Sequence, residues 1–220
     1  MSFGCVDNRN ARNEGCRLWE AVNQASARTY AMLLSPRTGR QPDDQNSQEQ
    51  YAVFYDAAMV EAGDADRLFE DDEADLFQRE PYLVALHTRD DAFAFVLIDI
   101  HTRPESAVAE IAALHDVVEW ARGAYADDTQ FIVLGDLNAG CDYASPRALD
   151  ALALRGPEYF WVVPDDSDSN VSPNSQCAYD RIVTTSNVQS RFTGRWGVDA
   201  WFTDVGVSDH WPVWGQRLPS

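Results

Sequence analysis

Apolar residues along this chain come in short runs that end on polar side chains. "YAMLLS" (30–35) predicts a strand, and the polar, turn-rich "PRTGRQPDDQNSQ" follows it. "EQYAVFYD" (49–56) alternates like a half-buried strand. "PYLVALHT" and "AFAFVLIDIH" predict a hairpin, whose second strand is almost continuously apolar and so buried on both faces. In "PESAVAEIAALHDVVEWARGAY", Val108, Ile111, Ala112, His115 and Val118 recur at helical spacing. Pro104 and Glu105 stand at its entry, where helices tolerate them. "QFIVLGD" predicts another buried strand. Short helices over 17–27 and 145–154, strands near 159–163 and 180–184, and a last strand at 211–214 complete the pattern. Stretch 61–75 carries eight acids against one Arg and reads as a solvated loop. Alternating strands and helices predict an α/β domain built on packed sheets.

Composition narrows the picture. A chain of 220 residues with 45% hydrophobic content suits one domain over 1–220 with a well-covered core. It has no internal repeat and no apolar run near the roughly 20 residues of a membrane span. The opening "MSFGCVDNRNARNEGC" carries no signal-peptide pattern as it stands. Net charge is -19, all 17 basic residues are Arg, and Asp (25) outnumbers Glu (11). A Lys-free acidic surface reads as adaptation to high salt, with an Arg-favouring genome as the plainer alternative. It argues against gripping nucleic acid through a broad basic face. It leaves room for an enzyme that meets phosphates through a divalent metal and a few Arg.

Several apolar strands end on chemically capable groups: Glu49, Arg79, His101, Asp136, Asn138, Asp180, Asp209 and His210. Strand ends aim such groups into a shared cleft. Carboxylates and a carboxamide oxygen are hard ligands, suited to Mg²⁺, Mn²⁺ or Ca²⁺ rather than zinc. A His oriented by an acid serves as a general base or acid, and Arg offers a forked cation to a phosphate oxygen. Together these parts fit metal-assisted phosphodiester hydrolysis. Taken singly, each has an ordinary explanation: a turn cap for Asp136, surface charge for Glu49 and Arg79. His87 and His115 read as structural.

In order, "EQYAVFYD", "REP", "IHTRPESAVAEI", "GDLNAGC", "CAYDRIV" and "SDHWPV" closely resemble the deoxyribonuclease I family, within the endonuclease/exonuclease/phosphatase superfamily. The resemblance spans about Tyr30 to Val213. It implies a two-sheet α/β sandwich and a DNA endonuclease of little sequence specificity, using Mg²⁺ or Mn²⁺ and helped by Ca²⁺. The implied pairs are His101 with Glu49 and His210 with Asp180. Asp136, Asn138 and Asp209 are the implied metal ligands, and Arg79 the phosphate contact. The family's disulfide falls on Cys141 and Cys177, closing a loop worth roughly 3–4 kcal/mol in the chain-entropy model.

One departure matters. The family begins with a strand ending in "FN", a helix, and a strand ending in "QE", whose Glu is its main metal ligand. No "QE" precedes the first helix here; "CVDNRN" offers Asp7 as a substitute ligand and Arg9 as a nearby phosphate contact. The chain therefore reads as an N-terminally truncated form of the sandwich, lacking a central strand, with apolar surface uncovered. A mis-assigned start is the expected account, a truncated paralogue the rival, because every other site residue is intact. Ser47 stands where animal enzymes place an aromatic that touches the minor groove. The expectation is a secreted or extracytoplasmic monomer acting on DNA, without membrane association. The rivals are a phosphoesterase acting on another phosphoester and a non-catalytic DNase-like binding module.

Overall fold

The computed structural model describes residues 14–40, 47–63, 66–71, 75–126 and 129–218. Helix α1 (Glu14–Ala25) leads into strands β1 (Tyr30–Leu34) and β2 (Ala52–Asp56). Short strands β3 (Val60–Ala62) and β4 (Arg67–Leu68) follow, then β5 (Tyr82–Thr88) and β6 (Ala94–Asp99). Helix α2 (Ala107–Ala124) crosses to β7 (Phe131–Asp136), and α3 (Pro146–Asp150) precedes β8 (Tyr159–Trp161). The last elements are β9 (Asp180–Thr185), α4 (Ser186–Gln189), β10 (Phe192–Val198) and β11 (Val213–Arg217).

The central sheet runs β3-β5-β6-β7-β9-β8, with β4 also pairing β5. Its pairings are antiparallel except β6 with β7, where α2 makes the crossover that a parallel pair requires. Alternation sends Leu83, Val96, Ile98, Phe131, Val133 and Val183 to one face, under Ile111, Leu114, Val117 and Val118 of α2. Tyr82, Val84, Leu86 and Leu97 face the other way and pack on Val53 of β2 and on Tyr51 just before it. The second layer of the sandwich is two separate pairs, β1–β2 and β10–β11. An apolar trough of about 210 Å³ beside β10–β11 is floored by Leu97, Ile132, Leu134 and Ile182 and walled by Phe192 and Gly215.

Three local expectations need correction. The 61–75 stretch is not wholly loop: β3 and β4 pair with β5, Val60 opposite Thr88 and Leu68 opposite Tyr82. The buried residues of α2 are Ala107, Glu110, Ile111, Ala113, Leu114, Val117, Val118 and Ala121, so Ala112 faces solvent while Glu110 goes inside. Strand β11 begins at Val213 rather than Trp211, and its partner β10 carries no regular apolar alternation to announce it. His115 bonds the Tyr159 hydroxyl at 2.7 Å, and His87 pairs loosely with Glu61 at the surface.

Candidate active site

The site follows from strand direction. Because β6 and β7 are parallel, with Asp99 opposite Leu134, both end at one edge of the sheet. Antiparallel β9 begins at that edge, Asp180 opposite Asp136. Thus His101, Asp136 and Asp180 meet although 35 and 44 residues of chain separate the successive pairs. Gly135 lets β6 and β7 close up: its φ is +131°, and a Cβ there would lie 2.0 Å from the Ile100 carbonyl oxygen. Beyond the strand, Asn138 takes φ +47°, a left-handed turn that Asn tolerates. Its amide nitrogen donates to the Thr102 carbonyl at 2.9 Å, leaving Oδ1 as a hard oxygen donor.

Glu49 enters from the second layer through its backbone bridge to Thr38, and its Oε2 lies 2.8 Å from His101 Nδ1. The far nitrogen of that ring is 3.4 Å from Asp136 Oδ2. On the other side, His210 Nδ1 lies 2.9 Å from Asp180 Oδ2 and 3.5 Å from the same Asp136 oxygen. Asp136 is therefore the shared acid between two imidazole–carboxylate pairs. Tyr179 stacks on the His210 ring at 5.3 Å. Arg79, only 7% exposed, donates to the His101 and Thr102 carbonyls at 2.9 and 3.1 Å and pairs with Glu49 at 3.2 Å. The disulfide Cys141–Cys177, with Cα atoms 5.6 Å apart, ties the Asn138 turn to the approach of β9.

The electrostatics follow this geometry. Burial alone would raise the Glu49 carboxyl, but the His101 hydrogen bond and the charges of His101 and Arg79 leave it below the usual range. Burial, then the neighbouring Asp180, pushes Asp136 up. Burial would lower His210, yet the Asp180 hydrogen bond and the charges of Asp180, Asp136 and Asp209 raise it to about 9.

Asp136, Asp180 and His210 offer ligand atoms all within 4.8 Å of one another. With the Asn138 oxygen alongside, this oxygen-rich donor set suits a hard divalent cation. Asp209 is exposed and outside that group, while its charge still reaches the His210 ring. Asp7 and Arg9 lie outside the described residues.

Sequence reasoning missed the groups that brace the site. The Glu110 carboxylate, 1% exposed, accepts the backbone N–H groups of Gln78 and Arg103, holding the Arg79 and His101 loops together. Arg181, fully buried, donates to the carbonyls of Ala139, Val163 and Ala178 at 2.6–2.9 Å. Ser169, also fully buried, accepts the N–H groups of Tyr179 and Asp180.

Asp99 is a different kind of acid. It shares a strand face with Leu97 and the position of His101, and burial pushes its carboxyl up to about 7 against the Ile100 N–H and the His101 charge. The unfolded value is about 3.9. Between about pH 4 and 7 the folded chain holds a proton that the unfolded chain has lost, so stability falls as pH rises through that window. Asp99→Asn is accordingly expected to unfold later in urea, by roughly 1–3 kcal/mol at about pH 8, with the gain gone near about pH 4. A gain independent of pH would count against a displaced carboxyl.

Two imidazole–carboxylate pairs thus meet around a shared acid at the edge of an α/β sandwich. Comparison with known proteins is specific. The Endonuclease/Exonuclease/phosphatase family matches residues 13–210. Deoxyribonuclease gamma of Mus musculus is 33% identical over 93% of this chain and 70% of its own length. Deoxyribonuclease-1 of Homo sapiens is 30% identical over 90% of this chain and 73% of its own. An endonuclease/exonuclease/phosphatase family protein from Bacteroides thetaiotaomicron superposes with a TM-score of 0.56 at 18% identity, covering 90% and 78% of the two chains. D. rerio TDP2 complexed with a single-strand DNA product does so at 0.56 and 12%, covering 89% and 79%. These two structures speak to the fold alone. The chain belongs to the endonuclease/exonuclease/phosphatase family, in its deoxyribonuclease I group.

Proposed function

We propose that this chain is a divalent-metal-dependent endonuclease that hydrolyses DNA phosphodiesters with little sequence preference. The carrying observation is Asp136, one carboxylate oxygen within 3.5 Å of both His101 and His210. A phosphate seated over it would have an imidazole on each side. His210, held by Asp180, takes a proton from the attacking water; His101, held by Glu49, gives one to the leaving 3′ oxygen, producing 5′-phosphate ends. The carboxylates around His210 raise it to about 9, a charge that also suits the exchanged assignment, with His210 as acid and His101 as base.

Asp136, Asp180 and the Asn138 oxygen would hold Mg²⁺ or Mn²⁺, which supplies charge neutralisation as the transition state gathers negative charge. Asp209 and Asp7 are subsidiary candidates. Ca²⁺ is proposed as a helper ion. Arg79 is committed to the His101 and Thr102 carbonyls, so it offers phosphate only its remaining donors. Relatives named deoxyribonuclease support DNA as the substrate. The Cys141–Cys177 bridge supports an oxidising location outside the cytoplasm. No helix among the described residues is long and apolar enough to cross a membrane.

The test is supercoiled-plasmid nicking with Mg²⁺, run beside a phosphomonoester substrate. Nicking that EDTA abolishes and Mg²⁺ restores is the expected result. Phosphomonoester turnover without nicking would favour the phosphatase alternative. DNA binding without cleavage of either substrate would favour a binding module.

A further inference from the structure

The apolar trough beside β10–β11 has one polar end. Two cross-strand pairs of β7 and β9 floor it, Ile132 opposite Thr184 and Leu134 opposite Ile182. The next pair along the same face is Asp136 opposite Asp180, the acids of the candidate site. The trough therefore runs away from the active edge of the sheet toward the opposite edge, where Phe93, Arg191 and Arg217 line it. Gly215 keeps it open: a Cβ there would lie 3.1 Å from a Val162 methyl carbon and 3.9 Å from one of Ile182.

Two polar atoms of this lining have no partner. The hydroxyl of Thr184, a residue only 5% exposed, and Nη1 of Arg217 are buried and make no hydrogen bond among the described residues. The Arg217 guanidinium lies over the Phe93 ring at 5.2 Å. The Leu218 N–H donates to the Arg191 carbonyl at 2.7 Å, which brings the second arginine to the same end. Neither guanidinium pairs with an acid among the described residues, in a chain of net charge -19. Cations that face hydrocarbon without a counter-charge are complementary to an anion that carries an apolar tail.

A carboxylate satisfies this end. Its two oxygens accept from a guanidinium fork, and the Thr184 hydroxyl is a further donor. The volume, about 210 Å³, exceeds the roughly 150 Å³ that holds benzene, so a chain of about eight carbons fills it. We propose that the trough binds an aliphatic carboxylate of medium length, its head on Arg217 and Thr184 and its tail on Leu134 and Ile182. The tail then packs one residue pair away from Asp136 and Asp180. This site goes beyond the nuclease reading and stands without it.

Titration calorimetry of the full chain with sodium octanoate is the test, and a dissociation constant on the order of 0.1–1 mM is expected. Hexanoate should bind about tenfold more weakly, through the loss of two buried methylenes. Octanol should fall by about tenfold as well, and so should octanoate on Arg217→Gln, because each lacks the charged pair. Thr184→Val should raise thermal stability in the absence of octanoate yet weaken octanoate binding, since the hydroxyl gains its partner only from the ligand. Gly215→Leu fills the trough and should abolish binding, with circular dichroism to check the fold. No binding up to about 10 mM octanoate would overturn the proposal. Octanol binding as tightly as octanoate, or an affinity unchanged by Arg217→Gln, would do the same. So would a dimer that Gly215→Leu dissolves, because a second copy would then cover the trough. Failure of the nuclease reading is separate: the chain would nick no DNA while octanoate still bound.

Discussion

Replacing His210 with Ala is expected to slow plasmid nicking by about 10²–10⁴-fold, the range for losing a positioned acid or base. The ring is anchored by Asp180 at 2.9 Å and covered by Tyr179, so it has little freedom to serve any purpose but the chemistry at Asp136. Its loss also removes the imidazole that both Asp136 and Asp180 face. His101→Ala should cost a similar factor, and the double variant little more than either alone, because the two rings act on one phosphate. Initial rates of supercoiled-plasmid loss, with circular dichroism to check folding, decide the matter. A His210→Ala protein retaining a tenth of the wild-type rate would remove this residue from the mechanism.

The largest expected loss of stability comes from Arg181→Met, at about 3–5 kcal/mol in urea unfolding. The Arg181 guanidinium is fully buried, donates to three carbonyls and pairs with Asp165 at 2.9 Å. Methionine fills much of the volume but leaves those carbonyls without their donor, and unpaired buried acceptors are costly. Asp165→Asn tests the other half of the pair. Asp165 is 38% exposed and retains Arg155 as a neighbour, so its loss should cost about 1 kcal/mol or less. If the two substitutions cost the same, the ion pair rather than the carbonyl contacts is what Arg181 contributes. Activity should fall with Arg181→Met as well, since Ala139 and Ala178 flank the Asn138 turn and the Asp180 strand.

Much of the site was legible before any coordinate. Near-continuous apolar runs before His101 and Asp136 announced buried strands, and strands of an α/β sheet present their ends together. Resemblance assigned Glu49 to His101, Asp180 to His210 and Cys141 to Cys177, and each pair is in contact. Asp209 was assigned through its adjacency to His210, and the structure leaves it exposed beside that ring.

The bracing groups were hidden. Glu110 looked like a surface acid because its partners are backbone N–H groups of Gln78 and Arg103, which no local pattern reveals. Burying a charge is tolerable only where distant loops supply such donors. Strands β3, β4 and β10 escaped notice because short, half-exposed strands need little apolar alternation; pairing with a neighbour defines them.

What the sequence by itself determined was local: the apolar periodicity of the long strands and of α2, and the residue types able to move protons, hold a hard cation and form a disulfide. Only the tertiary structure decided which acid is shared, which charges are buried and which polar groups line the apolar trough. Those properties depend on the parallel pairing of β6 with β7 and on contacts between residues tens of positions apart. Local pattern cannot encode them, because the cost of burying a polar group is set by the partner it meets after folding.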